Sequence, residues 1–545
     1  MTMKNSAMNK YDPITLEILW SRLIAIADEA AATLVRTAFS TIVYETHDYT
    51  CMLLDAQGDS LAQSSKSAPS FIGTMPATAK HFLQWFPRET LSPGDVLLTN
   101  DPWMGTGHTP DMNVVTPIFH RGRLVAFAGA VSHVVDIGGL PYTASARDVY
   151  EEGLRIPPCK LYSKGERTKL LFDLFEYNTR APDQVIGDIE ALVTANAMGA
   201  QRLLDLLEEE KIDDLGPLAQ AVQSASEQAM RKALKTIPNG EYRHELQLDG
   251  FEDPLLYKGC VRVTDGEIWI DYEGSSPQVR RGINSVLPYT YAYTAFGVKS
   301  LLDPETPNNQ GAFRPIRVTA PRGTFLNPAP PAPVSARNLT GHVLPFVVYG
   351  ALAPVVPDRV TALGGSAPSW AVALQGEHDN ERPFSILLFL NGGLGASNTR
   401  DGNACMSFPG LVANVPIELA EHLAPIRILS KRLIPDSGGT GRHRGGLGQE
   451  VVIESTARTP MRASIQAERI RTPASGLIGG GAGALGQVLV NDRPVADAKG
   501  TVTLERGDRV VLRMPGGGGF GKASERDPAS AARDIAMGYV SAGRP

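Results

Sequence analysis

The chain is poor in cysteine, and none of its cysteines forms a CxxC pair. Cys51, Cys159, Cys260 and Cys405 lie more than 90 residues apart, which disfavours a disulfide scaffold or a zinc ribbon and favours a reduced, cytoplasmic protein. No run of about 18 apolar residues is present, and the first residues, MTMKNSAMNKYDP, lack an apolar core of signal-peptide length. We therefore expect neither export nor insertion into a membrane.

The chain also lacks an excess of basic charge. Its 52 Lys and Arg residues are balanced by 58 Asp and Glu residues, so a net charge of -6 gives no reason to expect nucleic acid as a partner. No GxxxxGK[ST] loop and no GxSxG turn is present, which disfavours nucleotide binding by this chain and a covalent serine mechanism. The glycine-rich stretches GGTGRHRGGLG and MPGGGGFG are therefore interpreted as tight turns and close backbone packing.

The 545 residues, with 54 Gly and 40 Pro, are too many for one compact core and predict two or three domains with many turns. Apolar residues at helical spacing predict a long N-terminal helix over 12–39 and further helices over 183–210 and 217–237. Short apolar and alternating runs predict strands elsewhere. The expected fold class is α+β and multidomain, β-rich with mixed or antiparallel sheets, a long N-terminal helix and glycine-rich C-terminal loops.

Changes in hydrophobic periodicity and in proline and glycine content predict that the chain has four parts. We expect an N-terminal α+β metal-site domain at 1–237, a β-rich middle domain at 238–360, a glycine-rich, β-rich C-terminal domain at 361–522 and a helical tail at 523–545.

Two histidine and aspartate pairs flank a predicted hairpin. MNVVTPIF (112–119) and LVAFAGAVS (124–132) read as strands joined at Arg121-Gly122, so that paired positions sum to about 243. In that register Asp111 faces position 132, and His133 lies opposite Pro110. The pair in GTGHTPD and the pair in SHVVD should then meet at one edge of the sheet.

Such a set, His108 and Asp111 with His133 and Asp136, suits zinc, manganese or ferrous iron, whereas calcium prefers oxygen ligands alone. The alternative interpretation is that a loop histidine is a turn residue or the neighbour of a helix cap. Asp48, in YETHDYTCMLLD, precedes another predicted strand and could approach the same edge.

Longer stretches around these residues resemble the hydantoinase B/oxoprolinase family. The similarity is carried by VRTAFSTIVYETHDYTCMLLDAQGDSLAQ, TNDPWMGTGHTPDMNVVTPIFHRGRLVAFAGAVSHVVDIGG, YEEGLRIPPCKL and the two glycine-rich stretches, and it extends over nearly the whole chain. Members of this family are subunits of ATP-dependent cyclic amidases and of ketone carboxylases, and work with a hydantoinase A-type subunit that binds ATP. The resemblance implies a divalent metal held by Asp48, His108, Asp111 and His133.

Three further acidic residues are candidates beside this site, and one of them, Asp136, also matches a residue that is frequent in the family. Asp136 is expected to orient His133, with a catalytic acid/base role as the alternative, and Glu45 and Glu152 are candidate acid/base residues. The chain departs from the common pattern at Thr46-His47, where relatives often carry basic residues; this affects the expected substrate more than the metal.

The main hypothesis is a metal-dependent subunit of an ATP-dependent cyclic amide hydrolase acting on a hydantoin-, 5-oxoproline- or lactam-type ring. The A-type subunit would phosphorylate the amide oxygen using ATP, and water activated by the Zn, Mn or Fe ion would then attack. We expect a hetero-oligomer such as a dimer of heterodimers. The alternatives are a subunit of an ATP-dependent ketone carboxylase and a non-catalytic scaffold for the A-type subunit.

Overall fold

A computed structural model of the protein describes residues 11–140 and 142–543. Its first helix, α1 (Pro13–Thr37), begins where the Asp12 carboxylate accepts the N–H groups of Ile14 and Thr15, with proline at the first helical position. The helix ends at Thr37, so the long helix predicted for 12–39 is confirmed.

The N-terminal part is built around a seven-stranded sheet in the order β2-β1-β5-β4-β3-β6-β7, in which all neighbouring strands are antiparallel. The strands are β1 (Tyr49–Asp55), β2 (Ser60–Gln63), β3 (Val96–Thr99), β4 (Asp111–His120), β5 (Arg123–His133), β6 (Cys159–Ser163) and β7 (Glu166–Arg167).

The predicted hairpin is β4 and β5, but its register differs by one residue from the predicted one. A bulge between Ile118 and Phe119 changes the sum of paired positions from 243 at the turn to 244 further along. Asp111 therefore lies directly opposite His133, instead of opposite position 132. The extra residue of the bulge causes this shift, because it adds one position to a single strand.

Helices cover both faces of this sheet. Alternate residues of β1 point to opposite sides, so Cys51 and Leu53 pack in cores with α1 and the helix Pro182–Glu209, while Met52 and Leu54 pack in the core with the helix Thr74–Trp85. Burial on both faces explains why every residue of β1 is buried. The helices of the N-terminal part that follow α1 are α2 (Thr41–Tyr44), α3 (Thr74–Trp85), α4 (Lys169–Asn178), α5 (Pro182–Glu209) and α6 (Gly216–Leu234), with 3-10 helices at Pro69–Phe71, Arg88–Thr90 and Val149–Glu152.

The middle part contains a four-stranded sheet in the order β11-β10-β9-β8, with only the β10–β11 pair parallel. Buried helices pack on this sheet, beside the strands of the predicted β-rich domain at 238–360. The longest, α7 (Leu287–Leu302), is apolar nearly all round and therefore shows little helical periodicity in the sequence. The elements are β8 (Gly240–Leu248), β9 (Leu255–Thr264), β10 (Glu267–Asp271), β11 (Ile316–Thr319), α7, α8 (Gln310–Phe313), α9 (Asn338–Gly341) and α10 (Leu344–Leu352).

The C-terminal part contains two further sheets, ordered β13-β12-β16-β19 and β14-β15-β20-β17-β18, which share one apolar core. The elements are β12 (Trp370–Glu377), β13 (Pro383–Leu390), α11 (Ile417–Leu423), β14 (Ile426–Leu433), β15 (Gln449–Ser455), β16 (Met461–Gln466), β17 (Gln487–Val490), β18 (Arg493–Pro494), β19 (Thr501–Leu504) and β20 (Arg509–Arg513). With helices beside four mostly antiparallel sheets, the predicted α+β class is confirmed.

The glycine-rich stretches lie side by side and are joined by backbone hydrogen bonds. The consecutive N–H groups of residues 516–519 donate to carbonyl oxygens in three separate segments of the chain. A Cβ atom on Gly516 would lie 1.8 Å from the Ser437 carbonyl oxygen, and one on Gly517 would lie 2.1 Å from that of Leu394. Close backbone approach therefore requires these glycines, and their N–H groups are already used. The acceptors of residues 516–519 are, in order, Ala484, Gly446, Leu363 and Gly481.

Within the stretch predicted as a helical tail, the described chain forms the 3-10 helix Ala523–Glu525 and α12 (Pro528–Ala536). A large core joins residues from Ile72 and Ala144 to Phe520, so the predicted parts share buried surface, and the domain boundaries stay predictions. Among the helices of residues 11–140 and 142–543, none has the length and apolar character needed to span a bilayer.

Candidate metal centre

The three site residues closest together are placed by the β4–β5 hairpin and the loop before it. Asp111 is the first residue of β4 and His133 the last residue of β5, and they form a backbone pair. His108 lies in the preceding loop, next to Gly107, whose φ of 110° is rarely adopted by other residues. A Cβ atom on Gly107 would also lie 2.7 Å from the Arg337 side chain, so the loop can close on the hairpin only with glycine there.

Potential ligand atoms of these residues converge within 4.8 Å of one another, as in no other group of histidine, cysteine and acidic residues in the described ranges. His108 Nε2 is 2.8 Å from Asp111 Oδ1 and 3.2 Å from His133 Nδ1, and the last two atoms are 3.5 Å apart. All three side chains are buried, with exposed fractions of 1–3%. The structure thus brings together His108, Asp111 and His133 as the sequence predicted.

The hydrogen-bond partners of His108 determine its tautomer. His108 Nδ1 lies 2.8 Å from the carbonyl oxygen of Ser335, which can only accept a hydrogen bond, so Nδ1 carries the hydrogen. Burial, reinforced by the positive charge of Arg337, lowers the pKa of His108 to about 4, so the ring is neutral near pH 7. His108 Nε2 therefore directs a lone pair towards Asp111 Oδ1.

Asp111 is held ionised by groups on its other oxygen. Arg337 Nη2 and Thr106 Oγ1 each donate to Asp111 Oδ2 at 2.6 Å, which leaves Oδ1 to face the histidines. Burial opposes ionisation, but His108 and the Arg337 guanidinium outweigh it and hold the pKa of Asp111 well below its ordinary value. A carboxylate oxygen and an imidazole nitrogen thus face each other with no hydrogen between them.

Asp48 lies beside this group, outside the set of converging ligand atoms. Its carbonyl oxygen accepts the N–H of His133 at 3.3 Å, and it directly precedes β1, which pairs with β5. Burial, reinforced by the charge of Asp111 and opposed by His133, raises the pKa of the Asp48 carboxyl to about 6. The structure therefore places Asp48 at the predicted edge, and its role as a ligand stays a prediction.

Two residues that reach this site were not predicted from the sequence: Arg337 of the middle part and Tyr142 of the N-terminal part. Arg337 stacks its guanidinium 4.1 Å from the ring centroid of Tyr289, and its Nε donates to the Thr106 carbonyl. Tyr142 packs edge-on against both His108 and His133, and its hydroxyl donates to Asn338 Oδ1 at 2.9 Å. The stretch SARNLTGH, polar within an otherwise apolar region, was the available signal.

The predicted contact between Asp136 and His133 is not formed in the described structure. Both carboxylate oxygens of Asp136 instead accept from Arg180, one from its guanidinium at 2.6 Å and the other from its backbone N–H. Arg180 lies just before α5, which packs on β5, so tertiary packing supplies a partner that sequence spacing did not reveal. Asp136 is thus placed as the partner of Arg180.

The other two predicted acidic residues lie in different surroundings. Glu45 is half-buried at the C-terminal end of α2. Its charge adds to the effect of burial in raising the pKa of Tyr44, and it opposes the burial that lowers the pKa of His47. Glu152 is buried at the end of a 3-10 helix and accepts the backbone N–H groups of Val334 and Ser335. Burial raises the pKa of Glu152 to about 8. For both residues a catalytic role stays a prediction.

The chain is similar to known proteins over nearly its whole length. The chain is 30% identical to the caprolactamase subunit beta of Pseudomonas jessenii, covering 98% of this chain and 95% of that protein. It is 28% identical to 5-oxoprolinase 1 of Arabidopsis thaliana over 94% of this chain, but it spans only 42% of that protein. The crystal structure of the ATP-dependent caprolactamase from Pseudomonas jessenii superposes with a TM-score of 0.90 at 29% identity, covering 98% of this chain and 95% of the other. Because the sequence profile of hydantoinase B/oxoprolinase also matches residues 12–523, the chain belongs to the hydantoinase B/oxoprolinase family.

Proposed function

We propose that the protein is the metal-dependent subunit of an ATP-dependent cyclic amide hydrolase, with a divalent transition metal held by Asp48, His108, Asp111 and His133. The observation that carries the proposal is the convergence of His108 Nε2, Asp111 Oδ1 and His133 Nδ1 in a buried site. Membership of the family supports the class of reaction.

The three donor atoms fit a metal ion. A neutral imidazole nitrogen and a carboxylate oxygen only 2.8 Å apart repel each other unless a cation or a hydrogen lies between them. A hydrogen on His133 Nδ1 can be donated to either His108 Nε2 or Asp111 Oδ1, but not to both in full. A divalent cation can bind all three atoms at once. In a tetrahedral zinc site with bonds of about 2.0–2.2 Å, ligand atoms lie about 3.3–3.6 Å apart. The separations of His133 Nδ1 from His108 Nε2 and from Asp111 Oδ1, 3.2 Å and 3.5 Å, are close to this, whereas His108 Nε2 and Asp111 Oδ1 are closer together, at 2.8 Å. Zinc, manganese and iron remain the candidates.

When bound, such an ion would supply Lewis acidity and a water molecule of lowered pKa. The chain's own residues prepare the site for it. The Ser335 carbonyl keeps the hydrogen of His108 on Nδ1, and Arg337 with Thr106 keeps Asp111 ionised and directs Oδ1 inwards. Tyr142 covers both imidazoles and limits the access of bulk water.

The substrate and partner are proposed from the relatives. A caprolactamase and a 5-oxoprolinase both open cyclic amides, which supports a hydantoin-, 5-oxoproline- or lactam-type ring. A cyclic amide in an unstrained ring resists water, and phosphorylation of its oxygen by ATP makes the carbon open to attack. We assign that step to a hydantoinase A-type subunit in a hetero-oligomer such as a dimer of heterodimers. In this chain the N–H groups of residues 516–519 are already bonded to carbonyl oxygens.

The test is reconstitution of the chain with its A-type subunit, followed by measurement of ring opening with ATP and a panel of hydantoins, 5-oxoproline and lactams. Elemental analysis should find about one transition metal per chain. Carboxylation of a ketone with ATP and bicarbonate, without ring opening, would instead support the ketone carboxylase alternative. Full activity after metal removal would support the scaffold alternative. The cytoplasmic location stays a prediction.

A further inference from the structure

Glu152 and the backbone of residues 334–335 form a connected path to the candidate metal centre. Glu152 Oε1 accepts the N–H of Val334 at 2.6 Å and the N–H of Ser335 at 2.7 Å. The carbonyl oxygen of the same Ser335 is the partner of His108 Nδ1. One carboxyl oxygen therefore fixes the backbone immediately before the Ser335 carbonyl, and that carbonyl selects the tautomer of His108.

The position of Glu152 is itself fixed from two sides. Its carbonyl oxygen accepts the hydroxyl of Thr109, the residue that follows His108, at 3.0 Å. The 3-10 helix that it ends begins at Val149, whose N–H donates to the Pro331 carbonyl at 2.9 Å. Glu152 is thus anchored both to the ligand loop and to the segment that carries Ser335.

The other carboxylate oxygen, Oε2, is buried and has no hydrogen-bond partner among the described residues. Glu152 is only 4% exposed, and its side-chain hydrogen bonds are those to the two backbone N–H groups. A catalytic acid or base needs a path along which its proton can reach the substrate. The contacts of Glu152 lead to the backbone behind His108.

We propose, building on the metal-dependent function above, that Glu152 is a positioning residue: through Val334 and Ser335 it holds the carbonyl that keeps His108 Nε2 free to bind the metal. Residues that orient metal-bound histidines typically change metal affinity by about 10–100-fold when they are removed. In Glu152→Ala the buried N–H groups of Val334 and Ser335 lose their acceptor, and the Ser335 carbonyl is then held only from its other side, where the N–H of Ala336 donates to the Gly282 carbonyl.

Glu152→Gln provides the conservative variant. The amide oxygen can accept the same two N–H groups, and the amide nitrogen takes the place of Oε2, which has no partner in the described structure. Asp249→Ala is the matched control for general damage to the fold. Asp249 is also buried and accepts backbone N–H groups through both oxygens, but it serves residues 470–472 of the C-terminal part.

The first experiment measures the Co²⁺ affinity of the metal-free, full-length chain by calorimetry, with the visible Co²⁺ spectrum as a second readout. We expect Glu152→Ala to bind Co²⁺ about 10–100-fold more weakly than the wild type, and Glu152→Gln and Asp249→Ala to bind close to the wild type. Wild-type affinity in Glu152→Ala would overturn the proposal. A Glu152→Gln variant that binds Co²⁺ normally but loses ring opening would overturn it in favour of an acid/base role.

The second experiment separates this inference from the proposed function. In metal-free protein labelled with ¹⁵N-histidine, the NMR shifts of His108 should report a hydrogen on Nδ1 in the wild type and in Glu152→Gln. Glu152→Ala should change that tautomer. A wild type that binds no Co²⁺ but shows this pattern would refute the metal-dependent function and leave the positioning role supported. An unchanged tautomer in Glu152→Ala would refute the positioning role.

Discussion

Replacing Arg337 with methionine should lower the stability of the folded, metal-free protein and yet raise its affinity for a metal ion. Arg337 is 4% exposed and pairs at 2.6 Å with Asp111, which is 1% exposed. At that separation and an effective dielectric constant of about 20, their attraction is about 6 kcal/mol before the costs of desolvation. Removing one partner of a buried ion pair typically costs about 3–5 kcal/mol of stability, because the other charge is left uncompensated.

The effect on metal binding has the opposite sign. The charge of Arg337 contributes to the lowered pKa of His108, so it disfavours positive charge at the same nitrogen that would bind the metal. Without Arg337, Asp111 keeps its hydrogen bond from Thr106 Oγ1 at 2.6 Å, so its orientation is largely retained. We therefore expect Arg337→Met to bind Zn²⁺ at least about tenfold more tightly, which corresponds to about 1.4 kcal/mol.

The assay combines calorimetric melting of the metal-free chain with Zn²⁺ affinity measured by competition against a chelator. Arg469→Met is the matched control, because Arg469 is equally buried but belongs to a different charge cluster, with Glu468 and Asp249. This control should leave Zn²⁺ affinity unchanged. A tenfold loss of affinity in Arg337→Met would refute the electrostatic reasoning and would show that Arg337 acts mainly by orienting Asp111.

Four further predictions follow from the site. His133→Ala should lose the metal and reduce ring opening by orders of magnitude while size-exclusion chromatography still shows assembly with the A-type subunit. Asp136→Asn should lower the melting temperature but retain the metal, since Asp136 pairs with Arg180. Loss of the metal on elemental analysis would instead support the predicted contact of Asp136 with His133. The isolated chain should give no calorimetric signal with ATP, because the N–H groups of 516–519 are already used, and micromolar affinity would contradict this. Between about pH 4.5 and pH 8 the folded, metal-free chain keeps a proton on Glu152 that the unfolded chain has lost. Glu152 should therefore make the free energy of unfolding fall as pH rises through this range. Chemical denaturation of Glu152→Gln should show a weaker fall.

Local patterns in the sequence were sufficient for much of the fold. Helix α1 and the hairpin of β4 and β5 were predicted because helical spacing and strand alternation depend on neighbouring residues. Helix α7 was missed, because burial on nearly all sides removes the polar face that makes a helix recognisable. The register of the hairpin was also missed by one residue, since the bulge after Ile118 leaves no clear signal in the sequence.

The sequence by itself determined that His108, Asp111 and His133 meet, because two strands joined by a short turn must bring their outer ends together. Only the tertiary structure decided how these ligands are prepared. Ser335 and Arg337 are 227 and 226 residues from the side chains that they contact, and the partner of Asp136 lies 44 residues away, before another helix. Such contacts arise when separate segments pack together. Their charge and hydrogen-bond complementarity is a property of the packed interior and cannot be read from the spacing of residues along the chain.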